Sequence, residues 1–123
     1  NVLSKEEIKL ILAAPQNVKH RTMLNLIYAC GLRRSELLNL KIGDVASKRH
    51  MLLIRNSKGY KDRQVLISDK IIEMLREYHK AYRPKTWLFE GQKSGEKYSE
   101  ESLAKVLKHA VNKANIRKPV TLH

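Results

Sequence analysis

The chain has 123 residues, of which 42% are hydrophobic, so it can bury the core of one globular domain and is not a disordered tail. Lysine and arginine total 25 against 12 aspartate and glutamate, and the net charge of +13 predicts a polyanionic partner. No apolar run approaches the ~20 residues of a membrane-spanning helix, which favours nucleic acid over a membrane, and the single cysteine is typical of a reducing, cytoplasmic compartment.

Three helices are predicted in the first part of the chain. Ser4-Lys5-Glu6-Glu7 has the form of a capping box and predicts a helix that runs to about Ala14. Residues 19–30 are dense in apolar side chains and predict a second, largely buried helix. Gly31 can adopt the left-handed conformation that ends a helix, and a short third helix is predicted from Arg34 to Leu40.

The pattern changes at residue 51. Two β-prone runs, Met51–Arg55 and Arg63–Ile67, predict an antiparallel hairpin whose basic, glycine-bearing loop is longer than the common lengths of about 2–5 residues. Ser68 predicts the start of a fourth helix, and a regular apolar period predicts a last helix from about Ser99 to Ala114. The expected fold is α+β and mainly helical, with a small antiparallel sheet in a single domain.

Basic residues concentrate in two regions. The segment from Lys41 to Arg63 holds seven lysines and arginines and two acids, and after Glu101 the only charged side chains are basic. A solvated basic surface could have this composition, but two such regions in a basic domain favour phosphate binding. Aromatic residues are too few and scattered for a stacking platform on single strands, so double-stranded DNA is the expected partner.

Arg33 and Arg34 follow the glycine that is predicted to end the second helix. A guanidinium at this point, close to the backbone N–H groups that begin the next helix, is a planar and permanently charged fork suited to phosphate. On spacing alone, a solvated pair of arginines explains the same residues.

Three segments together resemble the tyrosine recombinases, the phage integrase family. Gly31-Leu32-Arg33-Arg34-Ser35-Glu36-Leu37 resembles the family's first arginine motif. Ser57-Lys58-Gly59-Tyr60-Lys61-Asp62-Arg63 resembles its catalytic lysine loop, although serine replaces the usual first glycine. Thr121-Leu122-His123 matches the opening of its His-x-x-Arg motif. The segments occur in the family's order, and the resemblance spans essentially the whole chain.

The resemblance implies both a reaction and the residues that carry it. In the family a tyrosine attacks a DNA phosphate and forms a 3′-phosphotyrosyl link, without a metal or a nucleotide cofactor. Arg33 matches an arginine that stabilises the transition state, Lys58 matches the general acid, and His123 matches a histidine that contacts the phosphate. Glu36 matches an acidic position that supports the site, and its spacing from Arg33 could let it orient that guanidinium.

Further basic and aromatic residues are expected to contact DNA; these are Arg34, Tyr60, Lys61, Arg63, Lys105 and Lys108. The histidines at 20, 50, 79 and 109 show no metal-ligand spacing with cysteine or carboxylates, so no metal site is predicted.

Parts of the family pattern are absent from these residues. The second arginine would follow His123 by three positions, and none of the five tyrosines, which all precede His123, matches the nucleophile. The family's amino-terminal DNA-clamping domain is also absent. We therefore expect residues 1–123 to be a partial, truncated catalytic domain that is monomeric and inactive alone, whereas the full-length parent acts as a tetramer on DNA.

Two other function classes compete with this interpretation. A helix-turn-helix regulator could use Ser35–Leu40 or the last helix to read the major groove without any chemistry. An RNA-binding protein fits less well, because the chain has neither the aromatic signature of an RNA-recognition motif nor a KH-type Gly-x-x-Gly loop.

Overall fold

Helices dominate the computed structural model, which describes residues 3–55 and 61–117. These residues form the α-helices α1 (Lys5–Ala13), α2 (Val18–Cys30), α3 (Arg34–Leu38), α4 (Asp69–Tyr82) and α5 (Glu100–Lys113). They also form the strands β1 (Val45–Ala46), β2 (Met51–Ile54) and β3 (Arg63–Leu66), with single 3-10 turns at Ile42–Asp44 and Ser47–Arg49. The predicted α+β, mainly helical fold is confirmed.

The helix ends follow local sequence signals. Ser4 Oγ accepts a hydrogen bond from the backbone N–H of Glu7 at 3.1 Å, and the Glu7 carboxylate accepts one from Ser4 N–H at 2.8 Å, which completes the capping box. Gly31 ends α2 with φ 64° and ψ 42°, in the left-handed region. Helix α3 is shorter than predicted and ends at Leu38, although Leu40 beyond it is still buried.

The sheet is antiparallel, in the order β1-β2-β3. The hairpin strands β2 and β3 pair from Met51 with Leu66 to Ile54 with Arg63. The side chains of Leu52 and Ile54 point into the core, as the alternation of a half-buried strand requires. Strand β1 was not predicted, because a strand of two residues is too short to show a periodic pattern.

The core consists of two apolar clusters. The larger packs α2, α3, the sheet and α4 together, and the smaller joins α1, α2 and α5 around Ile11, Leu24 and Val106. Tyr98 packs against both clusters. The larger cluster therefore supports both α3 and the base of the hairpin.

Among the described residues, no helix has the length and apolar character needed to span a bilayer.

Candidate active site

Arg33 lies on the turn between α2 and α3. It is the N-cap residue of α3, with φ −78° and ψ 158°. In the sequence it follows Leu32 and precedes Leu37, and both leucine side chains are buried. The two leucines anchor the backbone in the core, while Arg33 itself is exposed. Within residues 3–55 and 61–117, no hydrogen bond or ion pair occupies its guanidinium. Among these residues, the Arg33 guanidinium therefore makes no hydrogen bond, its backbone is held by the core, and its charge acts on the Glu36 carboxylate.

Glu36 is buried directly beside Arg33, with 8% of its surface exposed. Its Oε1 accepts a hydrogen bond from the backbone N–H of Arg33 at 2.8 Å. Both carboxylate oxygens also accept from Arg63 on β3: Nη1 donates to Oε2 at 2.6 Å and Nη2 to Oε1 at 3.2 Å. The spacing in the sequence indicated that Glu36 could orient the guanidinium of Arg33. Among the described residues, the hydrogen bonds of its carboxylate come from the backbone of Arg33 and the guanidinium of Arg63.

The ion pair determines the charge state of this site. The hydrogen bond from the Arg63 side chain lowers the pKa of Glu36, and the N–H of Arg33 acts in the same direction against the opposing effect of burial. The same bond raises the pKa of Arg63. Glu36 is therefore ionised at neutral pH, and it neutralises one of the three guanidinium groups of Arg33, Arg34 and Arg63. The surface around Arg33 stays positive.

Arg34 is the least constrained of these arginines. Its Nε lies 3.9 Å from Oε1 of Glu100 in the first turn of α5, which is too long for a hydrogen bond, and both side chains are largely exposed. Exposed ion pairs of this kind contribute little to stability. Arg34 remains available to a ligand.

A second pair of arginine and carboxylate holds the other strand of the hairpin. Asp44 is 2% exposed, and its Oδ1 accepts from Nε of Arg55, immediately after β2, at 3.0 Å. Its Oδ2 accepts from the backbone N–H of Lys41 at 2.9 Å. Each carboxylate thus accepts from a backbone N–H three residues earlier and from an arginine at one strand end. The base of the hairpin is anchored on both sides.

For the other predicted site residues that the structure describes, no contact links them to Arg33. Lys61, Lys105 and Lys108 are exposed, the first before β3 and the other two on α5. Lys58, Tyr60 and His123 lie outside the described residues. Of the predicted set, the contacts bring together Arg33, Glu36 and Arg63.

Cys30 and the possible metal ligands among the described residues do not form a second reactive centre. Burial raises the pKa of the Cys30 thiol, against a smaller opposite effect of Arg63, so the thiol is protonated at neutral pH. Across the part of the chain that the structure describes, no three His, Cys, Asp or Glu side chains converge as metal ligands.

Sequence reasoning did not find the partners of the two buried acids. Glu36 and Arg63 are 27 positions apart, and Asp44 and Arg55 are 11 apart, so no local period connects them. The one local signal is an acid at the third position of each short helix, the spacing of a capping box.

Comparison with known proteins identifies the family. The sequence model described as "Phage integrase family" matches residues 1–123. The chain belongs to the phage integrase family. It is 37% identical over 122 residues to a Sinorhizobium fredii protein named as an integrase/recombinase, covering 99% of this chain and 40% of that protein. It is 34% identical over 125 residues to a tyrosine recombinase of Thermosipho africanus, covering 98% and 43%.

Solved structures of the family share this fold. The crystal structure of XerA recombinase matches with a TM-score of 0.88 and 26% identity, over 98% of this chain and 45% of that one. The XerH site-specific recombinase, bound to its difH substrate in a pre-cleavage complex, matches with a TM-score of 0.80 and 27% identity, over 98% and 38%. The chain thus spans between about two fifths and one half of the length of the relatives it matches.

Proposed function

We propose that these residues form part of the catalytic domain of a tyrosine recombinase that cleaves and rejoins double-stranded DNA at specific sites. The observation that carries the proposal is the exposed Arg33, whose backbone N–H is held by buried Glu36 and which has further positive charge beside it. Membership of the phage integrase family, and the XerH relative bound to its substrate, support DNA as the partner.

The proposed reaction is a phosphoryl transfer from DNA to a tyrosine. The phenolate oxygen attacks the scissile phosphorus, the bond between phosphorus and the 5′-oxygen breaks, and that oxygen leaves with a proton from a general acid. The products are a 3′-phosphotyrosyl bond and a free 5′-hydroxyl, and rejoining reverses each step. Because the pentavalent transition state gathers negative charge, fixed cations aimed at the non-bridging oxygens lower its free energy.

The chain supplies three of the groups that this reaction uses. Arg33 binds the non-bridging oxygens, Lys58 protonates the leaving 5′-oxygen, and His123 hydrogen-bonds the phosphate or helps in proton transfer. Arg34, Tyr60, Lys61, Lys105 and Lys108 contact the DNA around the scissile phosphate. In this proposal the tyrosine and the second arginine come from the longer protein, outside these 123 residues. The longer protein acts in the cytoplasm as a tetramer on DNA. The 123 residues alone are a monomer.

A helix-turn-helix regulator explains fewer of the observations. A regulator needs a recognition helix but has no use for an exposed arginine whose backbone N–H is held by a buried carboxylate that also pairs with an arginine of the hairpin. Family membership favours the recombinase as well.

A salt titration of duplex binding tests the proposed partner. We expect log K to fall linearly with log salt, and Lys105→Ala to reduce the magnitude of the slope by about 0.9 through the loss of one phosphate contact. Lys80→Ala, an exposed lysine on α4 with no assigned role, is the matched control and leaves the slope unchanged. A salt-independent affinity for DNA would remove the proposal.

A further inference from the structure

Arg63 and Glu36 form a two-bond fork between strand β3 and helix α3. The two N–H···O distances are 2.6 and 3.2 Å, and the carboxylate is buried while the arginine side chain is 43% exposed. A guanidinium fixes the direction of a carboxylate in this way because two parallel hydrogen bonds leave it little freedom to rotate. The fork therefore sets where the Glu36 carboxylate lies.

The same carboxylate holds the backbone of Arg33. Oε1 of Glu36 receives both the Arg33 N–H and Nη2 of Arg63. A single oxygen thus joins the turn that carries Arg33 to strand β3, where Arg63 lies 27 residues after Glu36. Any change in the direction of the carboxylate moves the acceptor of the Arg33 N–H as well.

We propose that Arg63 is a positioning residue that acts through Glu36 on Arg33, and that it is not a contact to DNA phosphate. The inference rests on the proposed function, because it assigns a consequence for cleavage. It replaces the expectation from the sequence that Arg63, as one of several cations near the lysine loop, binds DNA directly.

The Asp44 and Arg55 pair is a control of matched architecture within the same chain. It has a buried carboxylate, an arginine at the adjacent strand end and a backbone N–H three residues before the acid. It differs in two respects. Arg55 donates to Oδ1 of Asp44 while the backbone N–H donates to Oδ2, and that N–H belongs to Lys41, to which no role in cleavage is assigned. Variants of the two pairs disturb the base of the hairpin alike, but only one pair reaches Arg33.

The first experiment separates positioning from DNA contact and uses this chain. The salt slope of duplex binding is measured for Arg63→Gln beside Lys105→Ala. A lost phosphate contact reduces the magnitude of the slope by about 0.9, so we expect that reduction for Lys105→Ala and no change for Arg63→Gln. An Arg63→Gln slope reduced as much as that of Lys105→Ala would overturn the inference. If the unsubstituted chain does not bind duplex DNA, the proposed function itself fails.

The second experiment measures cleavage by the full-length protein that contains these residues. Arg63→Gln and Glu36→Gln are expected to slow single-turnover cleavage on the order of 100-fold, the effect of a displacement of about 1 Å at a reacting centre. The double variant is expected to be no slower than the slower single variant, because both substitutions break one link. Arg63→Lys retains the charge without the fork and is expected not to restore the rate.

Two readouts exclude a merely structural role for Arg63. Asp44→Asn and Arg55→Gln are expected to lower the urea midpoint comparably while cleavage stays near the unsubstituted rate. A substrate with sulfur in place of the leaving 5′-oxygen, which departs without a proton, is expected to leave the Arg63→Gln defect in place. Equal cleavage losses in both pairs, or rescue by the sulfur substrate, would show that Arg63 acts through the hairpin instead of through Arg33.

Discussion

At the scale of single residues, Glu36 shows how a buried charge is retained. Removing a carboxylate from water is costly unless hydrogen bonds replace the lost solvation. Glu36 receives three such bonds, two from the Arg63 guanidinium and one from the Arg33 backbone. Glu90 shows the same principle without an arginine: burial opposes its ionisation, but backbone N–H groups led by Thr86 and Lys85 outweigh this effect and lower its pKa. Both carboxylates stabilise a short turn by accepting hydrogen bonds from its backbone N–H groups.

Substitution of Glu36 is expected to change how stability depends on pH. The pKa of Glu36 is lower in the folded state than in the unfolded state, where it is about 4.3. The ion pair therefore stabilises the protein above that pH, and this contribution is lost as pH falls through the folded-state pKa. Glu36→Gln is expected to lower the free energy of unfolding by about 1–3 kcal/mol at neutral pH. In urea unfolding at a series of pH values, the variant is also expected to show a smaller decrease of this free energy toward acid pH, which we call the acid limb.

The exposed Glu77 in the middle of α4 supplies the control for this measurement, because it lies away from both helix ends. Glu77→Gln is expected to leave the stability at neutral pH within about 0.5 kcal/mol of that of the unsubstituted protein. If Glu36→Gln gave an acid limb as steep as that of the unsubstituted protein, the Arg63 pair would not be the source of the pH dependence.

At the scale of elements, the turn from α2 to α3 decides where Arg33 lies. Gly31 reverses the chain with a positive φ, and the N–H of Leu32 then donates to the carbonyl of Ile27 at 3.1 Å. Leu32 is 2% exposed and enters the larger core cluster. Gly31 and the buried Leu32 therefore bring the chain to the start of α3, where the Glu36 carboxylate then holds the Arg33 N–H.

Substitutions at Gly31 test this conformational requirement. A Cβ at Gly31 would meet no atom within 4 Å, so Gly31→Ala is expected to lose about 1 kcal/mol of stability from the left-handed backbone alone. Gly31→Asn is expected to lose less, because asparagine tolerates that conformation. Gly43→Ala is the control, since Gly43 also has room for a Cβ and lacks a positive φ. A larger loss for asparagine than for alanine in urea unfolding would indicate steric crowding instead.

At the scale of the whole molecule, the core clusters carry a surface with a charge of +13. Like charges at this density repel one another, and a polyanion relieves that repulsion when it binds. The larger cluster supports both the turn that carries Arg33 and the hairpin that carries Arg63, so the two cationic residues lie close together on the surface.

We expect the 123-residue chain alone to form no covalent complex with a nicked recombination-site duplex. None of the five tyrosines matches the nucleophile of the family pattern and no residue matches its second arginine, so we expect neither bond formation nor full charge stabilisation from these residues alone. Denaturing gel electrophoresis of the chain with labelled DNA checks this expectation, with the full-length protein as the positive control. A phosphotyrosyl product formed by the 123 residues alone would contradict it.

Much of the fold was predictable because its signals are local. The capping residues Ser4, Ser68 and Ser99 each begin a helix where the sequence places one, and the predicted hairpin strands differ from the observed ones by one residue at an end. Strand β1 was missed because two residues form a strand only when β2 is already beside them. The predicted family is confirmed, whereas the catalytic roles of Arg33, Lys58 and His123 stay predictions.

The amino-acid sequence by itself determined the helices, the hairpin, the basic character and the family, because each depends on neighbouring residues or on composition. Only the tertiary structure decided which arginine meets which acid. Glu36 has Arg33 and Arg34 close in sequence, yet the guanidinium that hydrogen-bonds it is that of Arg63, since the larger core cluster holds both α3 and the sheet. Charge alone does not determine which arginine pairs with Glu36. The pairing depends on where the acid is buried and on where strand β3 places the Arg63 side chain.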